Sequence, residues 1–164
     1  MRKSLDFTTT FEFKDTAYQV RTAATGDMET LRRWKNANTA YFHHKEQITH
    51  EQQQAWFASL QKKSDEQMFV CEGPLGLVAC VGFRGTARLE LFNLICGDDS
   101  LYGTGFNSAF FSAVREKLAA RGATTIFLEV LKTNTRAVAW YLKQGFQRVG
   151  EKGDAELLEL ALKA

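Results

Sequence analysis

Between Leu89 and Leu131 the chain reads strand, glycine loop, long helix, strand, and this order narrows the accessible folds more than any other stretch. Leu89–Cys96 is an apolar, partly alternating run, followed by the turn composition Gly97-Asp98-Asp99-Ser100 and the loop Tyr102-Gly103-Thr104-Gly105-Phe106-Asn107. A helix from about Thr104 to Ala120 then stops at Gly122, which suits a left-handed C-terminal cap. Thr124–Leu131 is a β-branched and aromatic strand. Strand, helix and strand of one sheet form a crossover unit, so the two strands should run parallel as neighbours.

The earlier strands, about Phe7–Phe13, Tyr18–Ala23, Met68–Cys71 and Leu77–Phe83, are joined by short turns and should be antiparallel, and Phe146–Gly150 and Glu156–Leu162 close the chain as strands. Thr25 or Asp27 caps a helix reaching about Asn36, and Thr49 with Gln52 forms a capping-box pattern for a helix over about His50–Lys62. Asn134–Gln144 is a further helix, stopped by Gly145. The expected fold is therefore α+β, an α/β/α sandwich. One mixed, largely antiparallel sheet of about seven strands carries a single parallel crossover, with helices on both faces. At 164 residues and 18.5 kDa, positions 1–164 fit one domain.

Composition closes several functional classes. A net charge of +2 is too weak to suggest nucleic-acid binding. No apolar run approaches the ~20 residues that span a bilayer, and MRKSLDFTTTFEF lacks the apolar stretch of a signal peptide. Cys71, Cys80 and Cys96 are odd in number and form no CxxC pair, so neither a disulfide framework nor a zinc site is expected, and a reducing cytoplasm follows. No metal-ligand spacing is present. Thirteen phenylalanines point to an aromatic core or cleft.

The glycines of Tyr102–Asn107 free the backbone to turn its N–H groups toward one point, and the following helix adds positive potential. Such a nest binds an anion, although a tight turn without a ligand has the same composition. A dinucleotide-binding reading fails because Ser108 stands at the third glycine position and Glu129 lies 26 residues after Gly103, not about 20. In NTRAVAWYLKQGF, the positions Asn134, Ala137 and Tyr141 share one helical face, and the small alanine leaves room for a thin ligand.

These two segments together resemble the GNAT superfamily of N-acetyltransferases. Its helix pattern N-x-x-A-x-x-x-Y-x-x-x-G-F falls on Asn134, Ala137, Tyr141, Gly145 and Phe146. Its pyrophosphate loop, R/Q-G-x-G-x-G/A, falls on Tyr102–Asn107, where Tyr102 and Asn107 replace the usual residues. Trp34-Lys35-Asn36 and ITHEQQQAWF resemble the RimJ/RimL-like branch. The resemblance implies acetyl-CoA as co-substrate, no metal and direct transfer to a primary amine, with a nucleotide-linked amino sugar as the leading acceptor. A protein N-terminus, or a module that binds the cofactor without turnover, are the alternatives. It places Leu94, Ile95, Tyr102, Gly103, Thr104, Gly105, Phe106, Asn107, Asn134, Ala137 and Tyr141 at the cofactor. Trp34, Asn36, Tyr41, Phe42 and His44 fall at the acceptor. Oligomeric state, a homodimer included, stays open.

Acetyl transfer to an amine needs a neutral nucleophile, a polarised carbonyl and a protonated leaving thiolate. Tyr141 is the expected proton donor, and Glu129 the first candidate base, since it interrupts the apolar run IFLEVL. A solvent-side or ion-paired glutamate fits the same pattern. Glu90 is the second candidate; alternation puts it with Phe92 and Leu94, opposite Leu89, Leu91 and Asn93. A backbone N–H near Leu94-Ile95 should hold the thioester oxygen.

Overall fold

The computed structural model describes residues 3, 5–42 and 45–163. Lys14 and Asp15 both take positive φ, 48° and 65°, the geometry of a tight two-residue hairpin between β1 (Thr9–Phe13) and β2 (Thr16–Thr22). α1 (Met28–Ala37) follows a short turn in which Asp27 accepts from the Ala24 N–H and pairs with Arg21 at 2.7 Å. α2 (His50–Lys62) opens on the capping box of Thr49 and Gln52. Three antiparallel strands come next, β3 (Glu66–Gly73), β4 (Gly76–Gly85) and β5 (Arg88–Cys96). α3 (Phe106–Ala120), β6 (Thr125–Leu131), α4 (Thr135–Lys143), β7 (Gln147–Lys152) and β8 (Ala155–Ala161) complete the chain.

All eight strands join one sheet, in the order β1-β2-β3-β4-β5-β6-β8-β7. The eight correspond to the strand segments legible in the sequence, with the terminal hairpins at the two edges of the sheet. Among the described residues only β5 and β6 run parallel, flanking the α3 crossover. Two apolar clusters divide the helices between the faces. Met28 and Leu31 of α1, with Phe57 and Leu60 of α2, cover Met68, Val70, Cys80 and Ile95 on one side. On the other, Phe106, Phe110, Phe111, Val114 and Leu118 of α3 and Val138 of α4 cover Phe69, Phe83, Leu89, Ile126 and Leu158. The phenylalanines are mostly here: Phe106 meets Phe11, Phe13, Tyr18 and Phe110 at ring distances of 4.9 to 6.2 Å.

The feature that positions the site is a bulge in β5. Phe92 pairs with Gly82, but the next registered pair is Ile95 with Cys80, so Asn93 and Leu94 together oppose Val81. Asn93 absorbs the extra residue at φ 51°, a left-handed conformation that asparagine tolerates. Gly82 permits the arrangement, since a Cβ there would lie 2.4 Å from the Phe92 ring. The bulge reverses the alternation of the strand. Leu94 packs with the α3-side cluster beside Leu89 and Leu91, not with Phe92 as unbroken alternation predicts, and Ile95 packs under α1 and α2.

Candidate active site

β5 and β6 pair only through Arg88–Thr125, Leu89–Ile126 and Glu90–Phe127. Beyond that point β6 stays zipped to β8 as far as Leu131, while the bulged β5 departs from it. A cleft of about 680 Å³ fills the gap, lined by Leu94 and Ile95 on one wall and Leu128, Glu129 and Val130 on the other. Strand edges lining such a gap can accept an extended chain carrying amide groups.

At one end the cleft meets the glycine loop. Gly103 and Gly105 stand at φ 77° and 96°, which only glycine adopts without strain. Gly105 is the residue from which the 15-residue α3 starts. Among the described residues, the N–H groups of Gly103, Gly105, Asn107 and Ser108 donate to no protein acceptor. They form an unspent set of donors at a helix N-terminus, the electrostatic requirement for holding a phosphate. Thr104 and Phe106 do not line the cleft. The Thr104 hydroxyl donates to the Leu101 carbonyl at 2.5 Å and accepts from the Phe106 N–H, while the Phe106 ring is fully buried in the core. Tyr102, Gly103, Gly105 and Asn107 do line it.

One cation at this end was not legible in the sequence. Arg136, in the first turn of α4, lies 4.1 Å over the Tyr102 ring, and its Nη2 would be 3.2 Å from a Cβ at Gly103. The loop motif lacks its usual arginine, and a guanidinium from a separate helix stands beside the same glycines. Asn107 Oδ1 is buried without a hydrogen-bond partner, an unmet acceptor on the cleft wall.

Asn134 is the N-cap of α4 and accepts from the Ala137 N–H at 3.3 Å, so its carbonyl serves the helix itself. Asn134, Ala137 and Tyr141 all line the cleft. Tyr141 is 8% exposed, its ring meets Phe146 edge-on at 5.3 Å, and burial pushes its phenol well above the ordinary value. That widens the gap from a free thiol near ~8.5, so in the resting protein the phenol is a weaker acid than an exposed tyrosine. The helix is pinned to α3 because Trp140 Nε1 and Gln144 Nε2 both donate to Ser108 Oγ, at 3.2 and 2.9 Å.

The opposite end is built from α1, the segment after it, and the bulge. Tyr41 and Phe42 line it, together with Lys35, Asn38, Arg84 and Glu90. Lys35 Nζ donates to Asn93 Oδ1 and sits 3.4 Å above the Phe42 ring; burial lowers its pKa to about 8. Trp34 and Asn36 are not among the lining residues. Trp34 is wedged over Gly97, where a Cβ would meet its indole at 1.9 Å. Asn36 holds Ile48 through both amide atoms, accepting from its N–H at 2.8 Å and donating to its carbonyl at 3.0 Å. His44, like His43, lies outside the described residues. His50 begins α2, exposed, 3.2 Å from Glu29.

Glu129 lies where β6 has lost β5. It is not buried as the apolar run around it suggested: the residue is exposed, and Lys152 Nζ is 3.2 Å from its Oε1. Glu90 accepts from Arg84 at 2.7 Å, and Arg84 also approaches Glu66 at 3.4 Å. Burial raises the Cys71 and Cys80 thiols to about 12 and shifts Cys96 in the same direction, so none is a ready nucleophile. Among the described residues, no group of three His, Cys, Asp or Glu is placed to hold a metal ion, and no helix is long and apolar enough to cross a membrane.

Residues 28–146, most of the chain, match the model of the acetyltransferase (GNAT) family. No curated protein matches the sequence. Several solved structures share the fold. A spermidine N-acetyltransferase from Vibrio cholerae, in complex with CoA and spermine, superposes with a TM-score of 0.76 at 18% identity, covering 88% of this chain and 95% of its own. An N-acetyltransferase from Staphylococcus aureus Mu50 gives 0.71 at 21% identity, over 89% and 99%. A domain from Methanocaldococcus jannaschii gives 0.79 at 18%, over 90% and 100%.

Proposed function

We propose that this chain, which belongs to the acetyltransferase (GNAT) family, moves an acetyl group from acetyl-CoA directly to the primary amine of a small molecule. The observation that carries the reading is the parting of β5 from β6 after three pairs, which opens a slot between the unspent amides of the glycine loop and the Tyr141 face of α4. Acetyl-CoA supplies the activated thioester; the protein supplies the rest. The slot fits such a molecule on three counts. Parted strand edges suit an amide-bearing arm, the four free N–H groups with Arg136 suit a diphosphate, and Asn107 Oδ1 awaits a donor.

The bulge turns the Leu94–Ile95 backbone out of register, and we assign an N–H there to the thioester oxygen. Tyr141 faces the departing sulfur. Its raised pKa keeps it protonated in the resting protein, so it first acts by donating a hydrogen bond to charge building on sulfur. The same dry wall raises the thiol as well as the phenol, and the proton follows as the thiolate becomes the stronger base.

Glu129 is assigned as the base that strips the ammonium, directly or through water, with Glu90 as the alternative. The ion pairs each makes, to Lys152 and Arg84, would have to yield or pass the proton on. We read the N-terminal half within the RimJ/RimL-like branch and take a nucleotide-linked amino sugar as the first acceptor to try. A protein N-terminus is second, and the free thiols of Cys71, Cys80 and Cys96 support a reducing, cytoplasmic setting. Release of coenzyme A across a panel of amino sugars, nucleotide-linked amino sugars and peptides tests this. Release with none of them, alongside a thermal shift with acetyl-CoA, would leave a binding module without turnover.

A further inference from the structure

The acceptor end contains a cation with no anion of its own. Lys35 is half-buried on the cleft wall, and among the described residues no carboxylate lies within ion-pair distance of its Nζ. Its partners are neutral: the amide oxygen of Asn93 and the face of the Phe42 ring. The two acidic side chains of the cleft are engaged elsewhere, Glu90 with Arg84 and Glu129 with Lys152. Arg84 adds a second positive field, one that pushes the Lys35 pKa down, as burial does. A partly desolvated ammonium facing another cation is costly unless something negative arrives.

We infer that the acceptor is a primary amine that also bears an anionic group, a carboxylate or a phosphate, and that Lys35 is the residue that selects it by holding that group. This rests on the acetyl-transfer reading above. The tie between Lys35 and Asn93 fixes the geometry, because Asn93 directly precedes Leu94, the proposed seat of the thioester oxygen. The anion therefore sits within a few bonds of the attacking nitrogen. Tyr41 and Asn38 line the same end and add contact area and donors for the rest of the molecule. A polyamine, which brings only further positive charge, is disfavoured here by the same argument.

The test sets each anionic amine against a neutral counterpart of similar shape. Serine is paired with serinol, glucosamine 1-phosphate with glucosamine, and spermidine serves as the polycation; the two pairs separate carboxylate from phosphate. A charge-assisted hydrogen bond lost to an uncharged group is worth about tenfold or more. The wild-type protein should therefore show kcat/KM at least about tenfold higher for the anionic member of one pair. The ratio should collapse toward one in Lys35→Met and return in Lys35→Arg. Equal or faster turnover of neutral amines or spermidine by the wild type overturns the inference. So does a Lys35→Met variant that loses the same factor on both members of the pair. If no amine releases coenzyme A, the transfer reading fails, and binding then decides this one. The anionic amine should raise the Tm of the coenzyme A-loaded wild type but not of loaded Lys35→Met, and an identical shift in both refutes it.

Discussion

The two ends of the cleft are made from different materials. The glycine-loop end is mostly backbone: four N–H groups, two glycines at positive φ and a helix start, all within six consecutive residues. The acceptor end is side chains delivered from distant places, Lys35 from α1, Arg84 from β4, Asn93 from β5 and Phe42 from the connection after α1. A common ligand moiety can be held by groups every residue carries, provided the chain bends correctly. Selecting one amine among many needs particular side chains, and their positions depend on the whole sheet.

The sharpest way to break this contrast is at Tyr141, between the two ends. Tyr141→Phe removes one oxygen from a packed ring and should lower kcat by about 10²- to 10³-fold, while the thermal shift produced by acetyl-CoA persists. Unchanged turnover would remove the phenol from the chemistry. Next in size is the backbone cradle. Gly103→Val forces a β-branched residue to φ 77° and crowds Arg136, so acetyl-CoA should bind at least about tenfold more weakly with KM for the amine little changed. A titration of acetyl-CoA by calorimetry reads this directly.

The bulge should respond in the opposite sense. Asn93→Val places a β-branched residue at φ 51° and takes away the acceptor of Lys35, at a cost of about 1–2 kcal/mol. A fall in Tm of about 2–8 °C, with amine KM raised more than acetyl-CoA affinity, is the expected pattern.

The smallest effect is one of pH. Lys35 has a folded pKa of about 8 against an ordinary 10.5, so the folded state is penalised for keeping it charged. The penalty is full below pH 8 and fades as pH rises toward 10.5, because the unfolded chain binds more protons in that window. Of the groups facing it, Arg84 pushes its pKa down further, Cys80 is raised to about 12, and Asn93 and Phe42 do not titrate. Lys35→Met should thus be more stable than wild type at pH 7, with the difference in chemical-denaturation midpoint shrinking between pH 8 and 10.

The glycine-loop end was also the legible end. Gly103, Gly105 and Gly145 take the positive φ that their positions in the sequence imply, and Tyr141 reaches the cleft through the spacing that links it to Ala137. These are short-range relations, fixed by helix pitch and turn stereochemistry. Asn134 serves twice there, since the residue placed by motif both caps α4 with its carbonyl and lines the cleft.

The bulge was not legible. It depends on Gly82 lying beneath Phe92 across a strand pair, and one inserted residue sent Leu94 to the other face. Glu129 is the exposed, ion-paired glutamate that its pattern equally allowed, because β5 has already left that side of β6. Arg136 and Lys35 escaped notice because an isolated cation on a helix has nothing in its own sequence window to mark it. Trp34 and Asn36 looked like substrate contacts, yet one props Gly97 and the other ties down Ile48.

Ser108 occupies the position where a third small loop residue would disqualify or license a nucleotide fold, and here its hydroxyl receives both Trp140 and Gln144. A single oxygen thereby couples the cradle helix to the helix that presents the phenol. Trp140 directly precedes Tyr141, so these two bonds set the register of the phenol-bearing helix against the helix that begins at the glycine loop.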